Sequence, residues 1–129
     1  MTTPLTALYA GLCAVLLLGL AGLVVRRRWQ TQVALGDGDD PALRRAIAVH
    51  RNAVEYVPIA LVLLLVAELN GAAPWLLHAA GATLVIARVL HAAGLSRHTG
   101  TSFGRLWGTV LTWLVLVVLA LLDLSLALA

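Results

Sequence analysis

The chain has 129 residues, of which 61% are hydrophobic and only 12% are charged, and this composition excludes an ordinary water-soluble domain. A transmembrane helix needs about 20 apolar residues, so we expect four spans with short connections and no soluble domain. The nine basic residues are all arginines and cluster mostly in two short loops, which indicates membrane topology rather than nucleic-acid binding. Cys13 is the only cysteine, which excludes a disulfide framework and a CxxC motif.

Four apolar runs predict four membrane helices in a single domain over residues 1–129. The predicted helices cover residues of about 5–25, 45–69, 74–95 and 104–126. Asp40 can cap the second helix and Pro41 can open it, while Gly71 and Pro74 delimit the tight turn before the third. The N-terminus is uncharged and arginines follow the first run, so we expect this run to be a retained helix rather than a signal peptide. The sequence therefore predicts an all-α integral membrane four-helix bundle.

The distribution of arginines predicts the orientation of this bundle. The loop between the second and third helices has none, whereas the first and third loops and their flanks are basic, with Arg26, Arg27, Arg28, Arg44, Arg45, Arg97 and Arg105. By the positive-inside rule, both basic loops face the cytoplasm and both termini face the other side.

Charged and amide side chains also occur inside the predicted second and third helices. Arg51, Asn52 and Glu55 are spaced to share one helical face, and Glu55 falls within the apolar zone. Arg88 and His91 lie one turn apart at the same depth in the third helix. A charged group at membrane depth needs partners or a wet cavity, so these residues form a candidate functional site.

Arg26 and Arg105 should reach this layer from the loop side, so that cations from four helices surround a single carboxylate. The excess of positive charge predicts an anionic ligand. Alternatives remain: Glu55 and Arg88 could form an ion pair that only fixes packing, His91 could be a hydrogen-bonded packing residue, and Arg26 could be only a topology anchor. The aspartates of the first loop lack the EF-hand spacing, so no metal site is expected.

Other polar residues receive simpler interpretations. Glu68 and Asp123 fall near the far membrane face, where we expect exposure to water. Cys13 and His78 have no evident partners in the sequence and are assigned no role.

Three segments carry a resemblance to a known family. The run at residues 50–58, HRNAVEYVP, resembles the second-helix signature of the MAPEG family, the membrane-associated proteins of eicosanoid and glutathione metabolism. The likeness continues through RVLH at residues 88–91 and RLWG at residues 105–108, covers nearly the whole chain, and looks like the bacterial branch.

The resemblance implies a homotrimer in a bacterial inner membrane that binds glutathione between neighbouring subunits near the cytoplasmic face. The implied contacts to the tripeptide, with Arg88 in the same layer, are Arg26, Arg51, Asn52, Glu55 and His91. Glutathione carries two carboxylates and one ammonium, which suits this set of residues. By the same resemblance, Arg105 is the candidate catalytic residue that favours the thiolate, which would attack a lipophilic electrophile dissolved in the membrane lipid.

The implied activity is that of a glutathione-dependent transferase or peroxidase. Prostaglandin-forming members of the family differ at three positions, where this chain has Ala48, Leu95 and Leu106, so a specific eicosanoid isomerase is not expected. A non-catalytic binding or scaffold protein of the same fold is the alternative. A proton-coupled or ion-coupled transporter is a third class, against which the absence of broken, repeated helices argues.

Overall fold

The computed structural model describes residues 2–97, 100 and 102–128, and these residues form four α-helices. The helices are α1 at Pro4–Thr31, α2 at Pro41–Leu69, α3 at Pro74–Arg97 and α4 at Phe103–Leu128. Each of them is long and apolar enough to cross a membrane. The prediction of an all-α bundle with four candidate membrane spans is therefore confirmed.

Local sequence signals set the starts of the helices. α1, α2 and α3 each begin at a proline, whose fixed φ suits the first helical turn. The Asp40 side chain accepts a hydrogen bond of 2.6 Å from the backbone N–H of Leu43, which confirms the predicted cap. This cap starts α2 at Pro41, about four residues earlier than its apolar run suggests.

The ends of α1 and α3 also extend beyond the apolar runs. α1 continues to Thr31, and its 28 residues correspond to about 42 Å, longer than the roughly 30 Å of a hydrocarbon core. It stops where Gln32 adopts a left-handed conformation with φ of 56° and its N–H reaches the carbonyl of Arg28. The arginines of α1 therefore lie on a helical extension rather than in a flexible loop.

The four helices pack as an antiparallel bundle in which α2 contacts all three others. α3 and α4 form the most extensive pair, whereas no Cα atoms of α1 and α4 lie within 8 Å of each other among the described residues. Core side chains from all four helices include Tyr9, Leu64, Leu84 and Leu119. We call the end of the bundle where α1 and α3 end and α2 and α4 begin the basic end, and the other the opposite end.

Glycines allow α4 to approach α3 closely near the basic end. A Cβ placed on Gly108 would lie 2.6 Å from the carbonyl oxygen of Ala87 and from the Cβ of His91. A Cβ on Gly104 would lie 2.6 Å from the carbonyl oxygen of Leu90. Both distances are too short for a real side chain, so the two backbones are in contact at the height of His91.

Polar groups at the opposite end are paired across helices. Glu68 of α2 accepts hydrogen bonds from the backbone N–H groups of Leu5, at 2.9 Å, and Thr6, at 2.7 Å. The carboxylate thus caps the start of α1, where unpaired N–H groups and the helix dipole favour a negative charge. Glu68 is partly exposed, as expected near the far membrane face, but it also caps a different helix, which the sequence did not predict.

Two further residues near the opposite end also differ from expectation. His78 does have a partner, since its Nδ1 lies 2.9 Å from the Tyr9 hydroxyl. Both carboxyl oxygens of Asp123 are shielded from solvent and have no hydrogen-bond partner among the described residues. The expected water exposure of Asp123 is therefore wrong for the single chain, because neighbouring side chains of the bundle cover the carboxyl group.

Candidate functional site

Arg88 is the most buried charged residue of the chain, with 1% of its surface exposed. Its Nη2 donates a hydrogen bond of 2.7 Å to Oδ1 of Asn52 on α2. Its Cζ lies 5.7 Å from the centroid of the Tyr56 ring, one turn further along α2, as in a cation–π contact. The other two guanidinium nitrogens, Nε and Nη1, have no partner among the described residues. Arg88 is thus fixed in position while two of its nitrogens remain unsatisfied.

His91 is buried beside Arg88, one turn closer to the basic end of α3. Only 2% of its surface is exposed, because the backbone of α4 at Gly108 covers it. Its Nδ1 is shielded and has no hydrogen-bond partner among the described residues. Arg88 and His91 therefore bring unsatisfied nitrogen donors or acceptors to one level of the bundle.

Arg51 and Glu55 lie on the outward surface of α2. They form an ion pair of 3.3 Å between Nε and Oε1, with 77% and 54% of their side chains exposed. Asn52 lies at the edge of this face, because its side chain turns inward to Arg88. The expected common face thus holds for the Arg51 and Glu55 pair, whereas Asn52 connects that face to α3.

Glu55 and Arg88 do not form the ion pair that was considered as an alternative. Glu55 pairs with its own helix neighbour Arg51, and Arg88 binds Asn52. The single carboxylate of the layer is also not internal, since it faces the surroundings of the chain. The expectation of cations arranged around an internal carboxylate is therefore wrong for the single chain.

Arg105 lies in the first turn of α4, against the end of α3. Its backbone N–H donates to the Oγ of Ser102 at 3.3 Å, as at a helix N-cap, and its Nη1 donates to the carbonyl of Gly100 at 3.4 Å. A Cβ on Gly94, three residues after His91, would lie 2.5 Å from the Arg105 nitrogen. The close approach of α3 and α4 thus places Arg105 at the basic end, less than two turns of α4 from Gly108.

Arg26 lies apart from the buried pair, on the exposed surface of α1. Together with Arg27 and Arg45 it lines a cavity of about 240 Å³ between the end of α1 and the start of α2, to which Ser96 at the end of α3 also contributes. None of the other predicted site residues lines this cavity. Within one chain, the structure therefore brings Asn52, Arg88 and His91 together and leaves Arg26 at a separate surface.

Two arginines near the first loop are held by oxygens of the chain itself. Nη1 of Arg28 donates to three backbone carbonyls, the shortest at 2.9 Å to Gly36. Arg44 donates to Asp37 at 2.6 Å and to Asp39 at 3.3 Å. The hydrogen bond from Arg44 lowers the pKa of Asp37 below its ordinary value. These two arginines organise the loop.

Tyr56 is the contact residue of Arg88 that sequence reasoning missed. It lies four residues after Asn52, so both side chains can reach the same neighbour from α2. That spacing was the available signal. As for metals, the described residues contain no group of three or more His, Cys, Asp or Glu side chains able to hold an ion.

Comparison with known proteins defines the class of this chain. Residues 6–124 match the sequence model of the MAPEG family, and the chain belongs to that family. The resemblance noted in the sequence is thereby confirmed.

Two curated relatives align with this chain over nearly its whole length. They are the inner membrane protein YecN of Escherichia coli K12 and the protein of the same name from Escherichia coli O6:H1. Each is 44% identical to the chain over 119 residues, which cover 92% of this chain and 89% of the relative. That name gives a location for the relatives and no reaction.

Proposed function

We propose that this chain is a glutathione-dependent transferase or peroxidase that acts on lipophilic electrophiles in a bacterial inner membrane. The observation that carries the proposal is the buried pair of Arg88 and His91, whose side-chain nitrogens lack partners among the described residues. Membership of the MAPEG family and the location of the YecN relatives support it. The family match favours this activity over a transporter.

The unsatisfied nitrogens are the reason to expect an anionic ligand. A buried guanidinium with two unpaired nitrogens is energetically costly, and a carboxylate that reaches them would offset that cost by charge-assisted hydrogen bonds. Glutathione offers two carboxylates for Arg26, Arg51 or Arg88 and one ammonium for Glu55. Asn52 and His91 would then contact its amides.

The outward position of Arg51 and Glu55 supports a site that a second subunit completes. A charged pair on the surface of a membrane helix faces either lipid or a neighbouring protein, and lipid is the costlier surrounding. We therefore propose a homotrimer in which this face meets the next subunit and encloses the ligand. Both basic loops would face the cytoplasm and both termini the other side.

Arg105 would act on the thiol. A guanidinium near sulfur stabilises the thiolate, so the proton leaves to solvent and the anion becomes the nucleophile. With an aryl halide, the sulfur forms a bond to carbon and the halide departs with the electron pair of the broken bond. With an organic hydroperoxide, the sulfur attacks the terminal oxygen, the O–O bond breaks, and the alkoxide departs and is protonated to the alcohol, leaving glutathione sulfenic acid. A second glutathione attacks that sulfur and yields the disulfide and water.

The test separates binding from turnover. Isothermal titration of glutathione into the detergent-solubilised protein measures binding, and conjugation of 1-chloro-2,4-dinitrobenzene measures turnover. Arg105→Gln should lower the conjugation rate by about 100-fold, because it removes the charge that stabilises the thiolate. Arg97→Gln removes the same charge from the exposed end of α3 and is the matched control, with an expected change below twofold.

The results discriminate among the functional classes. Conjugation that is unchanged in Arg105→Gln would overturn the catalytic assignment. Glutathione binding without conjugation or peroxide reduction in the unmodified protein would instead identify the binding or scaffold alternative. Absence of glutathione binding would overturn the whole proposal.

A further inference from the structure

The cavity between α1 and α2 at the basic end has two kinds of wall. Part of its lining is apolar. Leu20 and Val49 are buried there, whereas Leu23, also in the lining, is 48% exposed on the surface of α1. Another part of the lining carries Arg26, Arg27 and Arg45. The cavity, of about 240 Å³, is much larger than a single water molecule requires. It is therefore an amphipathic space bordered by an exposed part of α1.

The charge of this cavity is not balanced by its own lining. Three arginines line it, and no aspartate or glutamate does. Nη1 of Arg27 donates to the neutral side chain of Gln30 at 3.2 Å, while Arg26 and Arg45 have no ion pair with any described residue. The local field thus favours an anion.

The arrangement of the neighbouring arginines shows that this imbalance is specific to the cavity. Arg28 and Arg44 belong to the same basic segment, but the carbonyls and aspartates of the first loop hold them, and neither lines the cavity. Arg26, Arg27 and Arg45 converge on one space, and none of them has an ion pair with a described residue. Simple anchoring to the membrane surface does not require that convergence.

We propose that this cavity binds the headgroup of an anionic phospholipid, with the phosphate among Arg26, Arg27 and Arg45. The first carbons of the acyl chains would lie along Leu23 and the apolar wall. The depth agrees, because the cavity lies at the basic ends of three membrane helices, α1, α2 and α3, where headgroups meet the hydrocarbon. A small soluble anion would satisfy the arginines but would leave the apolar wall without a partner.

This site shares Arg26 with the one proposed for glutathione and no other residue, so the variants used to test it leave Arg26 unchanged. Arg88 and His91 do not line the cavity, and the lipid contacts involve no residue of α4. The experiment is therefore carried out without glutathione, so that failure of either proposal leaves the other to be judged on its own result.

Native mass spectrometry of the full chain in detergent tests the proposal. The protein is titrated with dioctanoyl phosphatidylglycerol and, separately, with dioctanoyl phosphatidylcholine, which has the same chains and no net charge. We expect selective binding of the phosphatidylglycerol. Each basic residue near an anionic membrane surface contributes roughly fivefold in affinity, so Arg27→Gln with Arg45→Gln should weaken this binding about 25-fold.

A matched double variant distinguishes the cavity from general charge. Arg28→Gln with Arg44→Gln removes the same two charges from the same segment but from outside the cavity, and should change lipid affinity less than threefold. Arg27→Lys with Arg45→Lys keeps both charges and should retain most of the binding. Size-exclusion profiles equal to that of the unmodified protein establish that the variants are folded.

Three outcomes would overturn the proposal. Equal weakening by the two glutamine double variants would mean that only overall charge matters. Equal binding of the two lipids would mean that the site does not discriminate by headgroup charge. Displacement of the phosphatidylglycerol by millimolar inorganic phosphate would mean that the cavity recognises a free anion rather than a lipid.

Discussion

At the opposite end of the bundle, several polar side chains from different helices pair with one another, whereas at the basic end the buried Arg88 and His91 keep unpaired nitrogens. Asp123 and the Thr6 hydroxyl are exceptions at the opposite end, since they have no hydrogen-bond partner among the described residues. Glu68 of α2 caps α1, and Tyr9 of α1 contacts His78 of α3. Arg88 and His91, by contrast, keep three side-chain nitrogens that have no partner among the described residues. We infer that the first set holds the helices together, and we propose that the second set binds a ligand or a neighbouring subunit.

The largest expected effect is the loss of glutathione affinity when Arg88, one of the two buried residues with unpaired nitrogens, is replaced. Arg88→Met fills a similar volume without the charge, and we expect glutathione affinity to fall roughly 100-fold, as for loss of hydrogen bonds to a charged group. Stability without ligand should stay the same or rise, because an under-satisfied buried charge is removed. Titration calorimetry measures the first effect, and thermal unfolding in detergent followed by circular dichroism measures the second.

Arg97→Met is the control for this variant, because Arg97 is exposed at the end of α3. It should leave both affinity and stability unchanged. If Arg88→Met lowers the unfolding midpoint and leaves glutathione affinity intact, Arg88 is a structural residue and the comparison between the two ends fails.

The next effect concerns the contact that covers His91. Gly108→Ala would force a methyl group against Ala87 and His91, and we expect a loss of about 2 kcal/mol in stability. Gly19→Ala is the matched control, since nothing lies within 4 Å of its added Cβ and alanine favours a helix over glycine. Equal unfolding midpoints for the two variants would contradict the close α3 and α4 contact.

A glutamate at each end gives the sharpest test of the contrast. Glu68→Gln should lower stability by about 1.5 kcal/mol, because it removes the charge from a cap on two backbone N–H groups, and should leave glutathione affinity unchanged. Glu55→Gln should lower stability by less than about 0.5 kcal/mol, as for an exposed ion pair, and should weaken glutathione binding. Calorimetry and thermal unfolding measure the two effects. Weaker glutathione binding in Glu68→Gln, with the larger loss of stability in Glu55→Gln, would contradict the roles assigned to the two ends.

The smallest effect concerns Tyr9. Tyr9→Phe removes the hydroxyl that contacts His78 and should cost about 1 kcal/mol of stability, with glutathione affinity unchanged. Thermal unfolding in detergent provides the check. A change in glutathione affinity greater than threefold would show that the opposite end also serves the site.

The sequence predicts the helices and the candidate residues better than their mutual orientation. Prolines and Asp40 mark helix starts, because their effect is local. The pairing of Arg51 with Glu55 likewise follows from spacing within one helix.

Contacts between helices were harder to predict. α1 is apolar on nearly all faces, so periodicity does not show which of its faces is buried. The contact of Asn52 with Arg88, the cap that Glu68 provides to α1 and the shielding of Asp123 depend on how helices rotate against each other. The predicted site residues therefore included side chains that one chain places apart, with Arg26 exposed on α1, Glu55 exposed on α2 and His91 buried between α3 and α4.

The central claim is that the unsatisfied nitrogens of Arg88 and His91 bind glutathione in the assembled protein. A high-resolution structure of the oligomer determined with glutathione tests this directly. The account predicts ligand density within hydrogen-bond distance of Nε or Nη1 of Arg88 or of Nδ1 of His91, next to Glu55. Density elsewhere, or side chains of a partner subunit bonded to those three nitrogens with no ligand beside them, would contradict it.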